Sequence, residues 1–321
     1  MGIRNLNGFL KQKCSKTSIK CIQLSEISGK KIAVDISIYL YKFVADNSLL
    51  ENMYLMLATF RYYGIIPVFV FDGKSPTEKK ELLLQRRQEK KDAELEYKRL
   101  KENLELNVDM DDADKQEIQT SMDQLKKKFV CIRREEIQVA KDLITAFGAT
   151  YYEAPFEADE LCAILVQKKK VWGCLSEDTD MFVYGCAHVL RYLSLVNHTV
   201  VLYNTKAIMD ELDMSQKEFR EICVLSGTDY NVSNQTGNLY NVFKIFNKFC
   251  KVVKNHRETD FYSWLKENNY EYDYETLREV NEMFEFSSND YEAFEKMKIT
   301  QGNYQKDIIR EILKEDGFLF V

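Results

Sequence analysis

Ile65-Ile66-Pro67-Val68-Phe69-Val70-Phe71-Asp72-Gly73 is an apolar run, rich in β-branched and aromatic residues, that stops at an acid and a glycine. Such a run without polar alternation predicts a strand covered on both faces, as a parallel sheet requires. Upstream, Lys31-Ile32-Ala33-Val34-Asp35-Ile36 has the same form, with Asp35 near its end. Between them, Leu40, Phe43, Val44, Met53, Leu57 and Phe60 recur at helical spacing, giving one helix or two broken near Asp46-Asn47-Ser48. Strand, helix and strand form a βαβ unit, and sheets built this way bind ligands outside the carboxyl ends of their strands. One strand-end aspartate is ordinarily a turn former. Asp35 and Asp72 at the ends of neighbouring strands point instead to a site.

The pattern repeats downstream. Ala149-Thr150-Tyr151-Tyr152 predicts a third strand, leading into Ala154-Pro155-Phe156-Glu157-Ala158-Asp159-Glu160, where a proline and a cluster of acids open the apolar helix Leu161–Val166. By itself this cluster reads as helix capping. Val171-Trp172-Gly173-Cys174-Leu175 then ends in Ser176-Glu177-Asp178-Thr179-Asp180. In an extended segment Asp178 and Asp180 share one side and Glu177 takes the other, so the aspartates are chosen as ligands and Glu177 as structural. Residues 187–193 and 199–203 predict an antiparallel pair at the sheet edge, turning at Val196-Asn197-His198. A helix over 219–225 ends at Ser226-Gly227-Thr228-Asp229-Tyr230, another turn carrying an acid, and 242–253 is helical again.

Residues 77–147 change character. A charged helix over 77–103 carries Lys79, Arg86, Arg87, Lys90 and Lys91; an acid-rich stretch, 102–117, and an amphipathic helix, 119–129, follow. A helix over 133–147 buries Ile137, Ala140, Leu143, Ile144 and Phe147. Most of these charges read as a solvated face. A basic helix directly after a strand-end carboxylate, however, can hold a polyanion over the acids.

The 321 residues, 45% hydrophobic, suffice for one compact unit with a real core, and no internal repeat or Gly/Ser linker divides them. No stretch reaches membrane-span length and no secretory signal opens the chain. Eight scattered cysteines without a C-x-x-C pair indicate reduced thiols in an intracellular protein. With only three histidines, zinc ligation and histidine acid–base catalysis are disfavoured. The net charge of −6 gives no sign of a nucleic-acid binder, but the basic residues are clustered.

The acids Asp35, Asp72, Glu157, Asp159, Asp178, Asp180 and Asp229 would repel one another strongly in one pocket unless cations neutralised them. Two magnesium ions roughly 4 Å apart, with manganese able to substitute, answer that and suit phosphodiester hydrolysis, because bound water loses its proton without a histidine base.

Met1-Gly2-Ile3, Val34-Asp35, Val70-Phe71-Asp72-Gly73 followed by Pro76, Ala154-Pro155-Phe156-Glu157-Ala158-Asp159, Ser176-Glu177-Asp178-Thr179-Asp180 and Gly227-Thr228-Asp229-Tyr230 occur in that order over residues 1 to about 250. In this the chain resembles the flap-endonuclease, XPG-type family of structure-specific 5′ nucleases. The resemblance implies an α/β fold: a PIN-like 5′-nuclease core with a mostly parallel central sheet flanked by helices, a helical arch, and a helical C-terminal DNA-binding region. It implies a nuclease core over 1–250 (1–76 and 131–226 as the body, 77–130 as the arch, 227–253 as a degenerate duplex-binding hairpin motif) and helices packed on it over 254–321. It further implies metal-dependent cutting of DNA at 5′ flaps, nicks or junctions in replication, repair or recombination. All seven acids have family counterparts, with Asp159 where glutamate is commoner and Glu160 as its geometric competitor. Lys79 and Arg86 correspond to the basic pair that contacts the scissile phosphate, and Gly2, Arg87, Lys90 and Gly237 to DNA contacts.

Two features depart from the family. Its Gly-Ile-Gly hairpin is replaced by Gln235-Thr236-Gly237-Asn238, so no potassium site is expected, and the segment between Asp35 and Asp72 is shorter than usual. A monomer is expected, with no sliding-clamp peptide, acting in the nucleus or cytoplasm, or at a cytoplasmic replication site if the source is viral. The competing readings are a 5′→3′ double-strand exonuclease, a non-catalytic junction-binding scaffold and a metal-dependent ribonuclease.

Overall fold

A computed structural model of the protein describes residues 2–74, 79–106, 118–119, 121–122, 124–126, 128–231, 238–253, 260–286, 294, 297–314 and 317–318. Its centre is a seven-stranded sheet. Strand β2 (Lys31–Asp35) pairs in parallel with β3 (Ile66–Phe71) on one side and β5 (Gly173–Leu175) on the other. Outside these, β4 (Thr150–Glu153) lies parallel to β3, and β6 (His188–Ser194) parallel to β5. The strand order reverses between β2 and β5, which opens a crevice at their carboxyl ends, the usual ligand position in such sheets.

The expected antiparallel pair forms between β6 and β7 (Thr199–Asn204), but it is not the edge. Strand β1 (Ile19–Gln23) lies outside β7 and closes the sheet. Only Ile22 of its five residues is buried, so β1 lacks the apolar run by which the other strands announce themselves.

Alternation along the strands builds two cores. Ala33, Val68, Val70, Cys174, Val189 and Tyr203 face α1 (Leu6–Lys13), α6 (Ala158–Gln167), α9 (Gln216–Ser226) and α10 (Leu239–Val253). Ile32, Val34, Phe69, Phe71, Leu175 and Leu190 face α2 (Ser37–Ala45), α3 (Leu49–Tyr62), α5 (Arg134–Ala146) and α13 (Lys306–Lys314). The break between α2 and α3 falls where expected, with Asn47 at φ 51°. Helix α4 (Lys80–Leu106) is the charged helix after β3; its Ala93 is buried, and Tyr97 meets Phe129 edge to face. Residues 107–117 of the acid-rich stretch lie outside the described residues. All eight cysteines are free thiols, and among the described residues no helix is long and apolar enough to cross a membrane.

The far edge, β4, is covered by the segment leading to α13. Thr150 Oγ1 donates to the Thr300 carbonyl, Tyr152 Oη to that of Lys298, and Gly302 N to that of Gly148. Pairing an edge this way removes a template for aggregation. Gly148 has φ +75°, and a Cβ there would overlap the Gly302 carbonyl. Gly148→Ala should cost about 1–3 kcal/mol in stability. Gly8→Ala, in open space on α1, should gain about 0.5–1 kcal/mol. Thermal denaturation of the two variants checks both signs.

Candidate active site

Asp35 is the last residue of β2 and is buried; its Oδ2 accepts from Ser176 Oγ at 2.9 Å. Burial, then the charges of Asp72 and Asp178, push its carboxyl up to about 7. Asp72 follows β3 and reaches across to the start of α6, where Oδ1 accepts from Ala158 N at 2.8 Å. Glu157, the N-cap residue of α6, makes no capping hydrogen bond of its own. The first turn of α6 is thus satisfied from two sides, by Asp72 of the neighbouring strand at Ala158 N and by Asp159, whose Oδ1 accepts from Glu160 N at 2.7 Å, while Glu157 faces the crevice. Gly73 seats this junction: its N–H donates to the Phe156 carbonyl at 2.6 Å, and a Cβ would overlap the Ala154 carbonyl.

Asp159, Asp178 and Asp180 each place a carboxylate oxygen within 4.8 Å of the others, and all three are buried. The segment after β5 is not extended. Asp178 N donates to Ser176 Oγ, Asp180 N donates to Asp178 Oδ1, and Asp180 opens a short helix, α7 (Asp180–Val183). The two aspartates meet through this turn, so the expected pairing holds for a reason other than strand alternation. Glu177 does turn away: Oε1 accepts from Tyr192 N and its carbonyl from Arg191 Nη2. Glu160, next to Asp159, is only half-buried and lies outside the trio. Asp229 sits after the C-terminus of α9, on a turn where Asn231 Oδ1 accepts from Thr228 N and Oγ1.

The basic pair lies over these acids. Lys79, itself buried, puts Nζ 2.6 Å from Glu157 Oε2 and 4.5 Å from the centre of the Tyr230 ring; Arg86 Nη2 is 3.0 Å from Asp229 Oδ2. Burial alone would depress Lys79, but the charges of Asp159, Tyr230 and Glu157 win and raise it. Tyr230 Oη donates to Glu157 Oε2 at 3.1 Å. Sequence reasoning met Tyr230 and Ser176 only as motif neighbours, and it missed Arg191, which stands inside a strand with no local signal.

Of the expected DNA contacts, Arg87 is exposed. Lys90 Nζ donates to the Val130 carbonyl at 3.1 Å and lies 5.2 Å from the Tyr41 ring. Gly237, with Gln235 and Thr236, lies outside the described residues. Gly2 packs on the acids: at φ +73°, a Cβ there would overlap Asp178 Oδ1 and Asp180 Oδ1.

The acids fit a divalent cation. Asp180 is fully buried and neither of its carboxylate oxygens makes a hydrogen bond. Burial, then Asp178, raises its carboxyl well above the usual range, and burial does the same to Asp159. Unpaired buried oxygens beside like charges are costly without a cation, and an all-carboxylate set selects hard ions.

The family model of the XPG N-terminal domain matches residues 1–93, and that of the XPG I-region matches 148–229. All seven acids, Lys79 and Arg86 fall within those ranges. A probable RAD2-like endonuclease of invertebrate iridescent virus 6 is 25% identical over 280 residues, covering 72% of this chain and 67% of the relative. Flap endonuclease 1 of Glossina morsitans morsitans is 31% identical over 248 residues, covering 72% of this chain and 61% of the relative. The matches thus span about three fifths to two thirds of these relatives' lengths. The catalytic core of Rad2 in complex with a DNA substrate shares the fold, with a TM-score of 0.68, 20% identity, and coverage of 98% of this chain and 94% of that one. So does the flap endonuclease-1 from Methanococcus jannaschii, at 0.53 and 20%, covering 93% and 97%.

Gly2→Ala should lower the melting temperature in EDTA, as at Gly148, and weaken manganese binding about tenfold, ~1.4 kcal/mol. Calorimetric titration reads this directly; unchanged affinity would mean that the close approach of Gly2 to the acids is incidental.

Proposed function

The chain belongs to the XPG family, and we propose that it is a divalent-metal-dependent, structure-specific 5′ nuclease that hydrolyses DNA phosphodiesters at 5′ flaps, nicks or junctions in replication, repair or recombination. One observation carries this reading: the fully buried, unpaired carboxylate of Asp180 facing Asp159 and Asp178 at the switch point of the sheet. A protein that only bound DNA would gain nothing from acids that repel phosphate.

In this reading magnesium is the natural ion, manganese can substitute, and two ions are held by Asp35, Asp72, Glu157, Asp159, Asp178, Asp180 and Asp229. The bound metal supplies a Lewis acid and lowers the pKa of a water molecule. The protein supplies the rest. Asp72, while capping α6, fixes where Glu157 and Asp159 point. Lys79 and Arg86 neutralise Glu157 and Asp229. With metal in place they are free to turn to the scissile phosphate and stabilise the charge that develops on it. Residues 1–76 and 131–226 form the nuclease body and 77–130 an arch that admits the single strand. Residues 227–253 bind duplex without a potassium ion, and the described helices of 254–321 pack on the core. The working unit is an intracellular monomer.

A panel of labelled DNAs tests this: 5′ flap, double flap, nick, gap, blunt duplex, Holliday junction and single strand, with an RNA competitor, in magnesium and in EDTA. Magnesium-dependent cutting at the base of a 5′ flap is expected. Stepwise shortening from a nick or 5′ end would replace this reading with an exonuclease, and binding without cutting with a scaffold. Asp178→Ala should abolish cutting while DNA binding persists. Lys79→Ala and Arg86→Ala should each lower kcat by about 10²–10³, with a smaller loss of affinity; equal losses would make them plain phosphate anchors.

A further inference from the structure

Arg191, in β6, is only 6% exposed. Its Nη2 donates to the Glu177 carbonyl at 2.7 Å, and Nε lies 3.6 Å from Glu177 Oε2, yet neither Nε nor Nη1 makes a hydrogen bond. Idle donors on a buried cation are costly unless an acceptor comes to them. The residue lines a cavity of about 350 Å³ together with Gly2, Arg4, Asn5 and Thr179. Among the described residues no carboxylate lines that cavity, although Gly2 on its wall packs against Asp178 and Asp180. Asn5 precedes α1, and its side chain makes no capping hydrogen bond, so the positive end of that helix is left to the cavity. Arg4 is exposed. A second cation, a helix N-terminus and a buried guanidinium with free donors converge where the acids do not.

The strand is distorted to bring this about. The β6–β7 register breaks between Arg191 and Ser194, and Tyr192 has φ 57°, with its N–H held by Glu177 Oε1. A bulky side chain in the left-handed region persists only where its surroundings impose it, often beside a functional site. Arg191 faces the cavity, while Tyr192, 42% exposed, carries Lys11 Nζ 4.7 Å from its ring centre and accepts from Asn7 Nδ2 through its hydroxyl.

We propose that this cavity binds one phosphodiester group of the DNA, gripped by Arg191 and Arg4 at the α1 N-terminus, beside the metal acids. A phosphate held there fixes the register of the strand against Asp178 and Asp180, so Arg191 is a positioning residue. DNA as the source of the phosphate rests on the nuclease reading.

The test is a scan of single neutral methylphosphonate linkages along a 5′-flap DNA. Binding to the full chain is followed by fluorescence anisotropy in calcium, over a range of salt. For the wild-type protein, one linkage near the junction should weaken binding about tenfold. That penalty should disappear in Arg191→Gln and shrink in Arg4→Gln. Each variant should also flatten the slope of log K against log salt by about 0.7–0.9. Arg4 is on the surface, so its variant carries the test alone if Arg191→Gln does not fold. Equal penalties in all three proteins with unchanged salt slopes would reduce Arg191 to the partner of Glu177 and overturn the proposal. A wild-type protein that binds no flap DNA would bring down the nuclease reading first, and this one with it.

Discussion

Like charges gathered at the carboxyl ends of β2, β3 and β5, with Asp35, Asp159, Asp178 and Asp180 buried, are the constraint on which the rest of the molecule depends. Carboxylates ending adjacent parallel strands must converge, and burial makes convergence expensive. The chain answers with whatever neutralises or separates them. Asp72 is occupied by the first N–H of α6, Asp35 by the Ser176 hydroxyl, Glu157 by Lys79 and Tyr230, and Asp229 by Arg86. Asp180 alone is left with both oxygens buried and idle, and the residue pressed against it is the glycine at position 2. A buried, unpaired carboxylate among like charges, approached by a residue without a side chain, suits an ion.

The same constraint gives the charged helix after β3 a second purpose. Lys79, just before it, and Arg86 within it lie over the acids, so a cation arriving among them would compete with both for Glu157 and Asp229. In the proposed reading, metal occupancy and release of the basic pair toward a phosphate would be two sides of one exchange governed by charge.

Much of this was legible in the sequence, because a buried parallel strand advertises itself as an apolar run and an acid at its end can hardly be accidental more than once. Val34-Asp35, Phe71-Asp72 and Leu175 through Asp180 were read that way, and the structure brings them together. What depended on exact local geometry was not legible. The turn into α7, rather than strand alternation, joins Asp178 to Asp180. Asp72 caps a helix eighty-odd residues away in sequence. Strand β1, Ile19-Lys20-Cys21-Ile22-Gln23, was not read because its apolar residues are interrupted by Lys20 and Gln23 and form no run. Arg191 gave no signal because its meaning lies in a bulge and in a cavity walled by the start of the chain, neither of which has a local pattern.

The central claim is that these acids form a cation site whose repulsion is unrelieved without an ion. Melting temperature against manganese concentration, for the wild-type protein and Asp180→Asn, tests it most directly. Ligand binding to the native state alone stabilises it by RT ln(1 + [L]/Kd). The wild-type protein should therefore melt higher as manganese is added. Asp180→Asn, with one repelling charge removed, should melt at least as high as wild type in EDTA and gain little from the metal. A wild-type curve that is flat with manganese, or a variant that rises as steeply as wild type, would contradict the account.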